Sequence, residues 1–161
     1  MDLSWRAKPA ADINVLVVGP TGYIGRFVTK EMAARGFNVT ALARSKSGIG
    51  GAKTEDETRT DLAGASTVFG DVSSVAGMRA ALEEAGHAAS GPTSFDVVVS
   101  CLASRTGGVK DSWLIDYQAT RNAMDVGKAL GARHFVLLSA ICVQKPLLEF
   151  QKAKLRFESE L

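Results

Sequence analysis

Seven residues, Gly19-Pro20-Thr21-Gly22-Tyr23-Ile24-Gly25, separate an aliphatic run from a stretch with helical periodicity. Glycines spaced in this way clear side chains from a place where a ligand must meet backbone amides. An anionic group at a helix N-terminus needs that access, because the free amides and the helix dipole both favour negative charge there. Gly19 is expected to permit the tight turn, Gly22 to keep a Cβ out of a phosphate's path, and Gly25 to let the helix lie close to a sheet. Thr21, Tyr23 and Ile24 complete the candidate cradle. The spacing is G-x-x-G-x-x-G, one residue longer in its first gap than the common dinucleotide fingerprint, and the strand–turn–helix context is what gives it weight.

Three further segments fall where such a ligand would extend. The segment Ala41-Leu42-Ala43-Arg44-Ser45-Lys46 has no carboxylate. A site for NAD places one about 20 residues past the glycines, on the ribose 2′-hydroxyl. Arg44 can instead hold a 2′-phosphate by charge-assisted, bidentate bonds, so the expected cofactor is NADPH. The plain alternative is that Arg44 and Lys46 are solvated loop charges. Asp71 and Val72 end a third apolar segment, where the carboxylate could accept from an adenine amino group, cap the next helix, or do both. Leu102, Ala103 and Ser104 follow a fourth, in the crevice outside the strand carboxyl ends where the nicotinamide ribose would lie.

Lys154 is the candidate catalytic residue. Many short-chain dehydrogenases carry Tyr-x-x-x-Lys on one helix face, the Lys binding the nicotinamide ribose and lowering the Tyr pKa. Here the segment reads Phe150-Gln151-Lys152-Ala153-Lys154. A phenyl ring cannot protonate a carbonyl oxygen, so ketone–alcohol chemistry is not expected. The alternative for Lys154 is a solvated surface lysine. Cys101 and Cys142 read as small buried residues rather than nucleophiles. His134 reads as structural and His87 as a water-facing loop residue, and no metal site is expected.

Strands alternating with helices must position these groups. Strands are predicted at Asn14–Val18, Asn38–Ala43, Thr67–Phe69, Asp96–Ser100 and His134–Ser139. Helices are predicted at Tyr23–Arg35 (with Ile24, Phe27, Val28 and Met32 on one side), at Thr54 to about Leu62, after a Ser74 cap, over Trp113–Leu130, and from about Pro146 onward, still running at Leu161. The stretch from Ser45 to Lys53 reads as an exposed loop. Leu147, Leu148, Phe150 and Phe157 are expected to be partly exposed. This order implies an α/β, doubly wound parallel sheet of the Rossmann NAD(P)-binding type. Residues 1–12 read as a polar extension and residues 13–161 as the Rossmann domain, incomplete at its C-terminal end.

The chain has 161 residues, enough for one domain with a core. A hydrophobic share of 46% with 22% charged residues excludes a disordered chain. The net charge of +2, without a basic stripe, argues against nucleic-acid binding. No apolar run approaches the length of a membrane span. Two cysteines cannot build a disulfide framework, which favours a reducing compartment. The N-terminal segment lacks an apolar signal core, and any organelle-targeting sequence would lie outside this chain.

Three segments carry a resemblance: Asn14 to Arg26, Val99 to Ser104, and Phe135 to Gln151, which reads FVLLSAICVQKPLLEFQ. They resemble the divinyl chlorophyllide 8-vinyl-reductases of plants and green algae, atypical extended short-chain reductases related to the isoflavone-reductase and NmrA-like group. The resemblance runs from about Asp12 to Leu161. It implies NADPH-dependent reduction of the 8-vinyl group of divinyl chlorophyllide or protochlorophyllide to ethyl, in the chloroplast, with a tetrapyrrole as substrate. Hydride at the outer vinyl carbon would leave charge spread over the macrocycle, so no carbonyl needs an acid and Phe150 is compatible. Lys154 would then anchor the cofactor ribose, and the proton would come from water or from an acid outside this chain. Members of that family continue for about as long again after the Lys helix, in the part that supplies most of the tetrapyrrole pocket. This chain alone is therefore expected to bind NADPH weakly and to turn over little. Rival expectations are an NmrA-like sensor that binds the dinucleotide without catalysis, and a reductase of a phenolic or terpenoid double bond.

Overall fold

The aliphatic run Asn14–Val18 can be buried on both faces only at the centre of a sheet, and β1 (Asn14–Val18) occupies that place, buried along its whole length. The computed structural model describes residues 4–47 and 51–161. Five strands lie in the order β3-β2-β1-β4-β5, with β2 at Asn38–Ala43, β3 at Ser66–Phe69, β4 at Val97–Ser100 and β5 at His134–Leu137. Every pairing is parallel, with Val15 beside both Val39 and Val97. The order reverses at β1, so a crevice opens outside the carboxyl ends of β1 and β4.

Alternate β1 side chains feed two cores. Leu16 and Val18 pack with Leu42, Met78, Leu82, Ala123 and Val126, whereas Val15 and Val17 pack with Val39, Val97 and Val99. The first core is covered by α3 (Val75–Glu84) and α5 (Thr120–Ala129), the second by α1 (Tyr23–Ala34). Side-chain capping starts two of the helices. Thr54 and Glu57 form a capping box ahead of α2 (Glu55–Asp61), and Ser74 Oγ accepts from the Gly77 amide at 3.0 Å to start α3.

Several expectations change. The face that α1 turns to the sheet is made of Gly25 and Thr29 with half-buried Val28 and Met32, while Ile24 and Phe27 are exposed. The small residues are what let the helix sit this close. The predicted helix from Trp113 starts earlier, as α4 (Val109–Asp111), and widens into a π-helix over Ser112–Ala119 before α5. The last helix, α6, is confined to Glu149–Glu158, with Gln151 bonding the Leu147 and Leu148 amides ahead of it. Phe157 is fully buried, its ring tilted against that of Phe135 with centroids 5.4 Å apart, rather than partly exposed. The loop expected at Ser45–Lys53 is pinned by a Ser47–Lys53 bridge, and Ser47 is buried against Thr58; residues 48–50 lie outside the described residues. His87 is not simply hydrated: it bonds Thr40 Oγ1 at 3.1 Å and the Thr93 carbonyl at 3.0 Å, and stacks on Phe95. Cys142 is exposed, in a left-handed conformation (φ 64°), and Cys101 is buried.

Candidate cofactor site

The glycine turn is shaped by two demands. Gly19 has φ 76°, and a Cβ there would lie 2.8 Å from the Cys101 carbonyl group. A Cβ on Gly25 would lie 2.0 Å from the Gly19 carbonyl oxygen. Both glycines are therefore required by how tightly β1, α1 and the end of β4 meet. Gly22 is different. Its φ is −69°, and the nearest atom to a Cβ there is 3.5 Å away. Among the described residues nothing requires a glycine at this position; close approach of an anion to the helix amides is what a missing Cβ would serve. Among the described residues no side chain caps the N-terminus of α1, which leaves its first amides for a ligand. Tyr23 is 78% exposed beside them, Ile24 is exposed and Thr21 is half-buried. The turn fits a dinucleotide pyrophosphate.

Arg44 lies directly past β2 and is exposed. The Asp71 carboxylate, past β3, accepts from the Ser73 amide at 2.8 Å and from its hydroxyl at 2.7 Å. These bonds hold its pKa below the usual carboxylate value, and the charge of Arg44 adds to the shift. Arg44 and Asp71 thus sense each other at one end of the crevice. Ser74, and not Asp71, caps the following helix. The Val72 carbonyl accepts from Asn122 Nδ2 at 3.0 Å, which ties this strand end to α5.

The other end is built around Lys154. It is 3% exposed, which rules out a solvated surface lysine; the exposed residue is Lys152, paired with Glu149 at 2.6 Å. Lys154 Nζ donates to the Leu102 carbonyl at 3.0 Å and the Leu138 carbonyl at 3.0 Å, and lies 3.3 Å from Asp116 Oδ1. Its ammonium therefore joins the ends of β4 and β5 and is not turned outward. Leu102 is buried, Ala103 exposed and Ser104 half-buried, so this strip presents backbone and one methyl group to the crevice. Burial raises the Cys101 thiol pKa, and the Lys154 charge offsets part of the rise. Phe150 is half-buried one turn before Lys154.

The sequence reading missed Asp116 and Asn122. Both lie on the stripe shared by Ala119, Ala123 and Val126, so their burial was available from helical periodicity alone. Among the described residues, no group of three or more His, Cys, Asp or Glu could hold a metal ion, and no helix is long and apolar enough to cross a membrane.

The chain is 61% identical over 158 residues to the chloroplastic divinyl chlorophyllide a 8-vinyl-reductase of Arabidopsis thaliana, covering 98% of this chain and 36% of the relative. It is 58% identical over 158 residues to the enzyme of the same name from Cucumis sativus, again covering 98% and 36%. The chain thus spans about a third of the length of these curated relatives. A structure from Shigella flexneri assigned to the short-chain dehydrogenases superposes with a TM-score of 0.73 at 17% identity, over 94% of this chain and 74% of that one, which supports the fold. The family described as NAD(P)H-binding matches residues 19–158. With a match over most of its length, and with the glycine turn inside it, the chain belongs to the NAD(P)H-binding family.

Proposed function

We propose that this chain is the cofactor-binding part of an NADPH-dependent reductase that converts the 8-vinyl group of divinyl chlorophyllide or protochlorophyllide to ethyl in the chloroplast. The observation that carries the reading is its 61% identity, over 98% of the chain, to a chloroplastic reductase so named. When bound, NADPH supplies the hydride for the vinyl group.

The chain's own residues supply binding and orientation. Gly19, Gly22 and Gly25 with Thr21, Tyr23 and Ile24 receive the pyrophosphate on the α1 amides. Arg44 takes the 2′-phosphate, and Asp71 and Val72 border the adenine. Leu102, Ala103 and Ser104 form the floor under the nicotinamide ribose. Lys154 serves this end as a positioning residue: its ammonium is spent on the Leu102 and Leu138 carbonyls and on Asp116, so it shapes the floor in place of contacting a ribose directly. Phe150 needs no acid function, because reduction of a vinyl group conjugated with a macrocycle puts no charge on a carbonyl oxygen.

Exchange tests the proposal. Residues 12–161 are substituted for the matching segment of the Arabidopsis relative, and vinyl-to-ethyl conversion is followed by chromatography with NADPH present. The expected result is conversion within about fivefold of the parent, about 1 kcal/mol of transition-state stabilisation, since the exchanged segments are 61% identical over 158 residues. A chimera that binds NADPH and reduces no vinyl group would favour the NmrA-like sensor instead.

A further inference from the structure

Asp116 is 0% exposed, on a π-helical turn that packs beside α6. One carboxylate oxygen accepts from the Ser104 amide at 3.2 Å. The other accepts no aligned hydrogen bond among the described residues and faces Lys154 Nζ at 3.3 Å. Lys154 in turn holds the Leu102 carbonyl. The two side chains therefore grip the same three-residue strip from both ends, Lys154 by the carbonyl of Leu102 and Asp116 by the amide of Ser104, and leave Ala103 facing the crevice. A buried ion pair is a poor device for stability, since desolvating both charges costs about as much as their attraction returns. π-Helical turns are rare and often mark functional sites, and this one places the carboxylate beneath the carboxyl end of the sheet.

We propose that Asp116 is a positioning residue for the cofactor's nicotinamide end: paired with Lys154, it sets the backbone of Leu102–Ser104 against which that half of NADPH is held. This rests on the cofactor assignment above. It asks nothing of Asp116 in proton transfer, because the residue is fully buried.

Removing both charges at once tests it, because Asp116→Asn with Lys154→Met leaves no unpaired buried charge and the chain should fold. Three quantities are read on the chain and this double variant: hydrogen exchange of the Ser104 amide without nucleotide, NADPH affinity by nicotinamide fluorescence, and the melting temperature. The expected result is Ser104 exchange at least 10-fold faster, NADPH binding about 10-fold weaker, and a melting temperature within a few degrees of the parent. Asp116→Asn alone should weaken NADPH binding by a similar factor, and adding Lys154→Met should not multiply the loss. Lys154→Arg, which keeps the charge, should restore binding to within about threefold. Unchanged Ser104 exchange, unchanged NADPH affinity in the double variant, or independent multiplying losses would each overturn the role of Asp116 while leaving the cofactor assignment standing. Failure of the unmodified chain to bind either nucleotide would instead overturn that assignment, and the role of Asp116 with it.

Discussion

Gly25→Ala should cost about 3 kcal/mol of stability, lower the melting temperature by roughly 6–12 °C, and abolish measurable dinucleotide binding. The cause is geometric. A Cβ at this position would stand 2.0 Å from the Gly19 carbonyl oxygen, 3.0 Å from its carbon and 3.2 Å from the Cys101 Cβ. Two of those three atoms are backbone and cannot rotate aside as the end of a long side chain could. Either α1 lifts from the sheet, or the turn at Gly19 opens, and Gly19 is itself held against the Cys101–Leu102 peptide. Both movements displace the α1 amides that would meet a pyrophosphate. The companion change, Gly22→Ala, separates folding from binding, because its Cβ would meet nothing closer than 3.5 Å. Its melting temperature should stay within about 2 °C of the parent while NADPH affinity falls, since a methyl group then stands between the amides and the phosphate. Thermal unfolding and nucleotide titration on the two variants check this. Equal melting temperatures would show that α1 does not pack as closely as described.

Arg44→Ala should weaken NADPH binding about 10- to 30-fold and leave NADH binding unchanged. A hydrogen bond between charged partners contributes about 1.5–3 kcal/mol, and the lower half of that range applies because Arg44 is exposed and screened. The parent's preference for NADPH should also shrink as salt is raised, and the variant's residual affinities should show less of this dependence. Asp71 refines the expectation. It lies close enough for the charge of Arg44 to favour its ionised form, so it also tempers the positive field at this end. Its two bonds to Ser73 fix the carboxylate in place and keep it from closing over the guanidinium. Parallel titrations of the parent and Arg44→Ala with both nucleotides decide the matter. Equal losses for NADPH and NADH would mean that Arg44 acts through general charge or local structure and not through a 2′-phosphate.

Much of this arrangement could be read from the residues. The Asn14–Val18 run and the Asn38–Ala43 strand appear with the predicted bounds, because a strand buried on both faces leaves a continuous aliphatic signature. The glycine turn was legible because its glycines span the junction from a strand into the first turn of a helix. Less could be seen where tertiary packing overrides local pattern. Ile24 and Phe27 look like core residues on a helical wheel, yet Gly25 and Thr29 are the buried residues of α1, because at Gly25 the helix meets the Gly19 turn too closely for any side chain. The π-helical turn was invisible, since widening by one residue per turn depends on what packs around Ser112–Ala119 and not on their propensities. The burial that sets Lys154 apart from exposed Lys152 was not legible in the sequence. A four-residue spacing places it on a face, whereas only the fold brings the Leu102 and Leu138 carbonyls and Asp116 to its ammonium.

Cofactor choice is the claim on which the rest depends, and titration of the unmodified chain with NADPH and NADH, followed by nicotinamide fluorescence, tests it most directly. A glycine turn that receives the pyrophosphate and an arginine that receives the 2′-phosphate predict saturable binding of NADPH, at least about 10-fold tighter than that of NADH. Equal affinities, tighter NADH binding, or no binding of either would contradict it.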